Sequence, residues 1–373
     1  MNIAVNTRFL LKDRLEGIGW FTYQTLKRIT ANHPEHQFYF FFDRPYDETF
    51  VFSPNVHPIV LFPPARHPFL WYWWFEWSLP KALKKVQADI FLSTDGYLSL
   101  SSDIKSIIVI HDLAFEHFPN YINKMASRFY RHFTPKYAKK ANQIITVSGY
   151  SKEDIIKKYD IEANKIAVVF NGSDDRYKPL SETEKETVKS NYTDGKDYFL
   201  FVGAIHPRKN TLRLLKAFEQ FKQESMSDIK LIIAGREAWG NNEMKKYYDA
   251  MGYKQDVIFL NHCGLSILTK IMGAAYALTY PSLFEGFGIP ILEAMHCDIP
   301  VITSNTSSMP EVIGDVGIIV DPISVEEIKN AMLKITADKS LRASMIEKGR
   351  IQRAKFNWDK SAEKMWEVIE KTF

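Results

Sequence analysis

Pro281-Ser-Leu-Phe-Glu-Gly-Phe-Gly-Ile-Pro-Ile-Leu-Glu-Ala-Met295 places two carboxylates, Glu285 and Glu293, on either side of Gly286-Phe287-Gly288. Pro290 suits the first turn of a helix, where its missing N–H would have had no partner. The spacing predicts a loop carrying Glu285 and a helix carrying Glu293 about one turn in, both near the positive helix end. Backbone N–H groups at such an end bind phosphate, and glycines let a ligand approach closely. Gly286, Phe287, Gly288 and Ile289 are therefore candidate binding positions. Ionised carboxylates only accept hydrogen bonds, so two of them beside a phosphate site suit a ligand with hydroxyls flanking its phosphates. A nucleoside diphosphate sugar has that layout: ribose, pyrophosphate, sugar. The plainer alternative is an acidic first helical turn that complements the helix dipole without any ligand.

The rest of the chain bounds what surrounds this motif. Its 373 residues suffice for two domains, and 46% hydrophobic with 25% charged residues describes a globular protein. Two cysteines, Cys263 and Cys297, lack metal-ligand spacing, so neither a disulfide framework nor a zinc site is expected. A reducing compartment fits. The opening Met-Asn-Ile-Ala-Val-Asn reads as a strand rather than a signal peptide, and no run reaches the roughly 18 apolar residues of a membrane span. A cytoplasmic location is the expectation. The net charge of +4 is too small to argue for nucleic acid as a partner. Residues 121–170 nevertheless hold ten Lys/Arg against four Asp/Glu, a local excess of +6.

Short apolar runs alternate with helical patterns along the whole chain. Ile3–Val5, Gln37–Phe42, Ile90–Leu92, Ile107–Ile110, Gln143–Val147 and Ile166–Phe170 read as strands of a parallel sheet covered on both faces. The polar stretch from Asn171 to Asp197 reads as the domain junction. The alternation then restarts with Tyr198–Val202, Lys230–Ala234, Val257–Leu260, Ala277–Tyr280, Val301–Thr303 and Gly317–Val320. Ser324 and Glu327 form a candidate capping box. The expectation is an α/β protein of two facing doubly wound, Rossmann-like domains, residues 1–178 and 179–355, with ligands beyond the carboxyl ends of the strands.

Two further motifs fall at strand ends. Val202-Gly203-Ala-Ile-His-Pro-Arg208-Lys209-Asn-Thr211 runs from a strand into a helix that Asn210 or Thr211 would cap. Arg208 and Lys209 there make a pyrophosphate site, since Arg grips two oxygens and Lys acts as a point charge. A solvated surface pair is the alternative. His111 follows the strand Ser106–Ile110 in His-Asp-Leu-Ala-Phe115, again where a ligand would sit. Gly17 and Gly19 stand between the first strand and a helix, a phosphate-cradle position. A dinucleotide fingerprint would need a third glycine where Thr22 stands.

The segment from Val257 to Pro322 resembles the donor-binding half of family 4 retaining glycosyltransferases, whose usual pattern is Pro-Ser-x-x-Glu-Gly-Phe-Gly-x-Pro-x-x-Glu-Ala-Met. The likeness extends to the Arg208-Lys209 segment, the His111 segment, Ile144–Ser148 with Ser151, and Asn171-Gly172. It implies a GT-B architecture, with residues 1–178 binding the acceptor, 179–355 binding the nucleotide sugar, and a helix in 356–373 returning to the first domain. It implies that Arg208 and Lys209 hold the donor diphosphate, that Glu293 meets the ribose, and that Glu285 and His111 meet the sugar. Gly17, Gly19 and Gly203 join Gly286–Ile289 as donor-binding positions. Transfer would retain the anomeric configuration and need neither metal nor cofactor. The acceptor would be a saccharide or lipid-linked saccharide for cell-surface polysaccharide, with mannose the favoured sugar. A sugar-nucleotide epimerase or phosphorylase of the same fold is the alternative.

Two departures from the family pattern stand out. Glu16 occupies the first position of the usual Gly-Gly-x-Gly, which would repel a diphosphate from the Gly17–Gly19 loop. Asp298 replaces the glycine expected after the helix, at a cost of about 1 kcal/mol for the left-handed conformation. Leu70-Trp-Tyr-Trp-Trp-Phe-Glu-Trp77 is the oddest composition in the chain. It reads as core, as cover for an acceptor groove, or as contact with the inner face of a membrane. The basic Lys124–Lys140 helix offers anionic lipid a surface, or simply a solvated face.

Overall fold

The computed structural model describes residues 1–12, 15–236, 242–261 and 263–373, with residue 242 described by its backbone. It divides the chain into two compact units, Met1–Asn171 with Asn357–Phe373, and Gly172–Phe356. The division falls at Asn171/Gly172 rather than after residue 178, and the second unit ends at 356 rather than 355.

The first unit holds seven parallel strands: β1 (Asn2–Asn6), β2 (Gln37–Phe42), β3 (Val56–Val60), β4 (Ile90–Ser93), β5 (Lys105–Val109), β6 (Gln143–Thr146) and β7 (Ile166–Val168). They lie in the order β3-β2-β1-β4-β5-β6-β7. The hydrophobic runs that mark the inner strands are buried on both faces, as helices above and below a parallel sheet require. The strand order reverses direction between β1 and β4, which opens a crevice at their carboxyl ends. Helix Trp358–Thr372 completes this unit by packing on helix Gly17–Asn32. Trp366 stacks on His33 with ring centroids 3.6 Å apart, and Ser361 Oγ donates to the Phe170 carbonyl at 2.6 Å.

The second unit holds β8 (Tyr198–Val202), β9 (Lys230–Ala234), β10 (Val257–Leu260), β11 (Ala277–Tyr280), β12 (Val301–Ser304) and β13 (Ile318–Val320), all parallel, in the order β10-β9-β8-β11-β12-β13. Its reversal lies between β8 and β11.

Four local expectations are corrected. Strand β3 lacks an apolar run because it is an edge strand, where Pro58 forfeits no central hydrogen bond. The polar stretch after Asn171 contains helix Glu182–Thr193, opened by a full Ser181–Glu184 capping box. Ser324 accepts from Glu327 N, but the Glu327 carboxylate takes the backbone N–H of Asp321 instead of closing its box. Asn210 caps nothing with its side chain: at φ +64° it turns its amide to the carbonyls of Pro281 (2.9 Å) and Pro322 (2.6 Å). Asp298 does adopt the left-handed conformation, φ +58°, and its carboxylate is held by Arg350 and Arg353.

The tryptophan segment splits three ways. Residues Pro68–Trp73 form a helix that continues through a π-helical turn, Trp74–Ser78. Trp74 and Phe75 are fully buried, and Trp71 is half-buried with its Nε1 on the Ala65 carbonyl. Trp73 and Trp77 stack on each other at 4.8 Å and stay half exposed.

Candidate active site

The loop after β8 and the loop after β11 meet at the reversal point of the second sheet. Gly203 follows β8 with φ +145°, and the Lys209 side chain lies 3.7 Å from where a Cβ would stand. Gly235, which sequence reading passed over, is needed behind it: a Cβ there would fall 1.9 Å from the Gly203 carbonyl oxygen. The chain then makes a short turn, Pro207–Lys209, before helix Thr211–Ser225. Asn210 fastens that turn to the loops after β11 and β13, which fixes Arg208 and Lys209 opposite Glu285.

Glu285 is the hub of the site. Its Oε1 accepts from Lys209 Nζ (2.6 Å), Ser282 Oγ (2.6 Å) and Tyr280 OH (2.9 Å). Its Oε2 lies 3.3 Å from Arg208 Nη1, which also bonds the Phe284 carbonyl. Burial alone would raise its pKa, but Lys209 and Arg208 overcome that and hold it at about 2. Glu285 is therefore a fixed anion across the working pH range. Both cations bind this carboxylate, a pairing that motif spacing did not reveal.

A second layer of hydroxyls sets the loop's shape. Ser307 Oγ accepts from Glu285 N at 2.9 Å, and Ser308 Oγ lies 2.9 Å from the carbonyls of both Glu285 and Phe287. Ser304 Oγ and Thr306 Oγ1 donate to the carbonyls of Ser282 and Leu283. Sequence reading missed these residues and Tyr280 and Ser282. The available signal was the run Thr303-Ser-Asn-Thr-Ser-Ser308 directly after a central strand.

Helix Ile289–His296 begins as the motif predicts, with Gly288 at φ +96° as the cap position and Pro290 in the first turn. Phe287 is buried edge-on against Phe356. Pro290 has no N–H and the Ile291 N–H donates to the Gly288 carbonyl at 3.0 Å, so what this end offers an anion is chiefly the positive end of the helix dipole. Glu293 behaves oppositely to Glu285. Desolvation pushes its carboxyl up to about 8; the Tyr177 hydroxyl bonded to it pulls downward, while nearby Asp174 adds to the rise. At neutral pH it carries a proton, which leaves it able both to donate and to accept.

The other candidates lie in the first unit. His111 stands at the carboxyl end of β5, its Nε2 2.9 Å from the Thr94 carbonyl and its ring edge-on to Phe21. Burial lowers its pKa and keeps the imidazole neutral. Gly17 opens helix Gly17–Asn32, with Glu16 at the cap position. Gly19 is required by packing, because a Cβ there would lie 2.7 Å from the Phe9 carbonyl oxygen. Arg208, Lys209 and Glu285 are thus brought into contact within the second unit, beside Gly203, Gly286, Phe287, Gly288, Ile289 and Glu293. His111, Gly17 and Gly19 belong to the first.

Comparison with known proteins agrees with this layout. Residues 15–177 match the family model described as Glycosyltransferase Family 4, and residues 182–352 match Glycosyl transferases group 1. The chain is 30% identical over 279 residues to O-antigen chain mannosyltransferase B of Escherichia coli, covering 74% of this chain and 73% of that protein. It is 29% identical to the O-antigen chain mannosyltransferase RfbU of Salmonella typhimurium, over 76% of each. The fold is similar to that of Anabaena HepE solved with UDP-glucose, with a TM-score of 0.77 at 16% identity over all of both chains.

Proposed function

This chain belongs to the family 4 glycosyltransferases of GT-B fold, and from that premise we propose that it transfers mannose from a nucleoside diphosphate donor to a saccharide of a cell-surface polysaccharide. The observation that carries the reading is the Glu285 hub: a buried carboxylate joined to Lys209 and Arg208, at the end of β11 and beside a helix N-terminus. The mannosyltransferase relatives support the sugar and the acceptor class, and the nucleotide in the HepE complex supports the donor class.

Chemistry follows from the charges. Breaking the sugar–phosphate bond builds negative charge on the leaving diphosphate. Arg208, Lys209 and the helix N-terminus are fixed donors for that charge, and they stabilise the transition state more than the ground state. A metal is not required to neutralise it. Glu285 holds both cations in place and, on the family pattern, meets the sugar. Glu293 meets the ribose, and His111 meets the sugar near the reacting carbon. Retention of configuration follows from attack on the face the diphosphate leaves, with its oxygen taking the acceptor's proton. No observation favours the epimerase or phosphorylase alternative.

Membrane contact belongs to the same proposal, because it would bring the enzyme to lipid-linked acceptors. Helix Lys124–Lys140 exposes Lys124, Arg128, Arg131, Lys136 and Lys139 and contains no acidic residue. Phe69, Tyr72, Trp73 and Trp77, exposed on the helical segment packed against it, add the aromatic half of an interfacial surface. No helix among the described residues is long and apolar enough to cross a membrane.

The test is turnover of GDP-mannose, UDP-glucose and UDP-galactose with and without a lipid-linked saccharide acceptor. Acceptor-dependent release of GDP from GDP-mannose, with an α-linked product by proton NMR, is the expected result. Conversion of a donor without acceptor, or an inverted linkage, would sink the reading.

A further inference from the structure

The polar residues at the carboxyl ends of β1, β4 and β5, three neighbours in the first sheet, form a chain of hydrogen bonds that ends on His111. Arg8 brings Nη2 to 2.6 Å and Nε to 3.1 Å from Asp95 Oδ2. Asp95 Oδ1 accepts from Asn6 Nδ2 at 2.7 Å. The main-chain carbonyl of Asn6 accepts from Thr94 Oγ1 at 2.9 Å. The Thr94 carbonyl then accepts from His111 Nε2, also at 2.9 Å.

That last contact decides the imidazole's chemistry. A carbonyl offers no proton, so Nε2 carries the hydrogen and Nδ1 of the neutral ring is left as an acceptor. Phe21 meets the ring edge-on at 5.1 Å, and Ser151 Oγ fixes the main chain beneath it by donating to the His111 carbonyl at 3.2 Å. Asn6, Arg8, Thr94 and Asp95 are all buried, with the Arg8 guanidinium over the rings of Tyr97 (4.6 Å) and Phe75 (4.8 Å). Groups so enclosed reach a ligand only through the residue they hold.

We propose that Asn6, Thr94 and Asp95 are positioning residues for the transfer reaction, fixing the His111 tautomer in which Nδ1 accepts a hydrogen bond from a hydroxyl of the sugar. This rests on the proposed role of His111 at the donor sugar. His111 in that state cannot serve as a proton donor to the leaving diphosphate, so it orients the sugar while Arg208 and Lys209 take the charge. A buried carboxylate fixed by Arg8 is what makes the arrangement rigid: it orders the Asn6 amide, and through the adjoining strand ends it orders the carbonyl that selects the tautomer.

The experiment combines a spectrum with kinetics. Histidine-labelled protein gives long-range nitrogen–proton correlations, and His111→Gln identifies the His111 signals by their loss. The parent protein is expected to show a single Nε2–H tautomer at neutral pH. Thr94→Val removes the hydroxyl link at nearly constant shape. It is expected to mix the tautomers and to lower kcat roughly fivefold to tenfold while donor KM stays within about twofold. Thr94→Ser, which keeps the hydroxyl, is expected to match the parent in both. An Nδ1–H tautomer in the parent, or a Thr94→Val variant like the parent in both spectrum and rate, would overturn the proposal. If Thr94→Val does not fold, the parent tautomer and Thr94→Ser decide. The spectrum is read without substrate, so it judges the network separately. Parental turnover in His111→Ala would instead remove His111 from the reaction, and absence of any nucleotide-sugar turnover would remove the proposed function itself.

Discussion

Both sheets carry a cation–carboxylate pair at the point where their strand order reverses, and the two pairs differ in how far they are enclosed. Between β1 and β4, Arg8 and Asp95 keep only 4% and 1% of their side-chain surface exposed. Between β8 and β11, Lys209 and Glu285 keep 15% and 9%, and Arg208 keeps 22%. The first pair is enclosed by Phe75, Tyr97, Trp74 and Phe9, whose ring centroids lie 4.8, 4.6, 5.5 and 5.9 Å from the guanidinium carbon. The second has one buried ring, Tyr280, whose hydroxyl meets both Lys209 and Glu285, with the small Gly203 and Ser282 and a helix N-terminus beside it. Topology puts a charged pair in each crevice; the first is enclosed beneath aromatic rings, and the second keeps more of its surface exposed.

The largest effect is expected where that difference is broken in the sealed pair. Asp95→Ala leaves Arg8 buried without a counter-charge, and should cost about 3–5 kcal/mol of stability in a urea titration. Lys209→Met at the less enclosed pair leaves Glu285 with Arg208 as a remaining counter-charge, and should lower the urea midpoint by less than Asp95→Ala does. Equal losses for both would show that the two crevices are the same kind of site.

Next come the proposed donors to the leaving phosphate. Arg208→Ala should lower kcat by on the order of 10²–10³ with little change in donor KM. Because transfer is assigned to these fixed cations, activity in EDTA should equal that in magnesium. Loss in EDTA that magnesium restores would move the charge-neutralising role elsewhere.

The two glutamates of the second unit differ in the sign of their pH dependence. The folded pKa of Glu293 lies above its ordinary value, so the protonated form is favoured by folding. Its contribution to stability is fully present below about pH 4.5 and is lost as pH rises through about 8. Glu293→Gln should therefore differ little from the parent in melting temperature near pH 5 and become the more stable of the two by pH 9. The reverse trend would mean that the carboxyl is ionised in the folded protein. Glu285, held at about 2, has the opposite sign: its contribution is present above its ordinary pKa and is lost only as pH falls toward 2. Glu285→Gln should show a deficit that is constant between pH 5 and 9.

The smallest effect belongs to the surface. Trp73→Ala with Trp77→Ala should weaken binding to anionic vesicles, and added salt should weaken what remains through the basic helix. Equal binding to neutral and anionic vesicles would discard the electrostatic half of the surface.

The second unit was the more legible of the two because its chemistry is compressed in sequence. Glu285 through Glu293 lie in one stretch, and Arg208-Lys209 follow a strand directly, so strand ends and glycines announced them. In the first unit the network that holds His111 draws on Asn6, Arg8, Thr94 and Asp95, and nothing in the spacing of residues 6 to 8 and 94 to 95 marks them as partners. The hydroxyls of Ser304 to Ser308 were invisible for the same reason: a serine's role depends on which carbonyl a neighbouring strand brings to it.

Local sequence alone determined the alternating strands and helices, the Gly288–Pro290 helix start, the left-handed Asp298 and the cations at the end of β8. Each of these follows from backbone sterics or from periodicity over a few residues. The tertiary structure alone decided that Arg208 and Lys209 bind Glu285, that Asn210 clamps two loops instead of capping a helix, that Trp74 is core while Trp73 and Trp77 are surface, and that the two glutamates titrate at opposite extremes. Those outcomes depend on burial and on partners distant in the chain. Desolvation and Coulomb attraction act through space, and only the folded chain sets those distances.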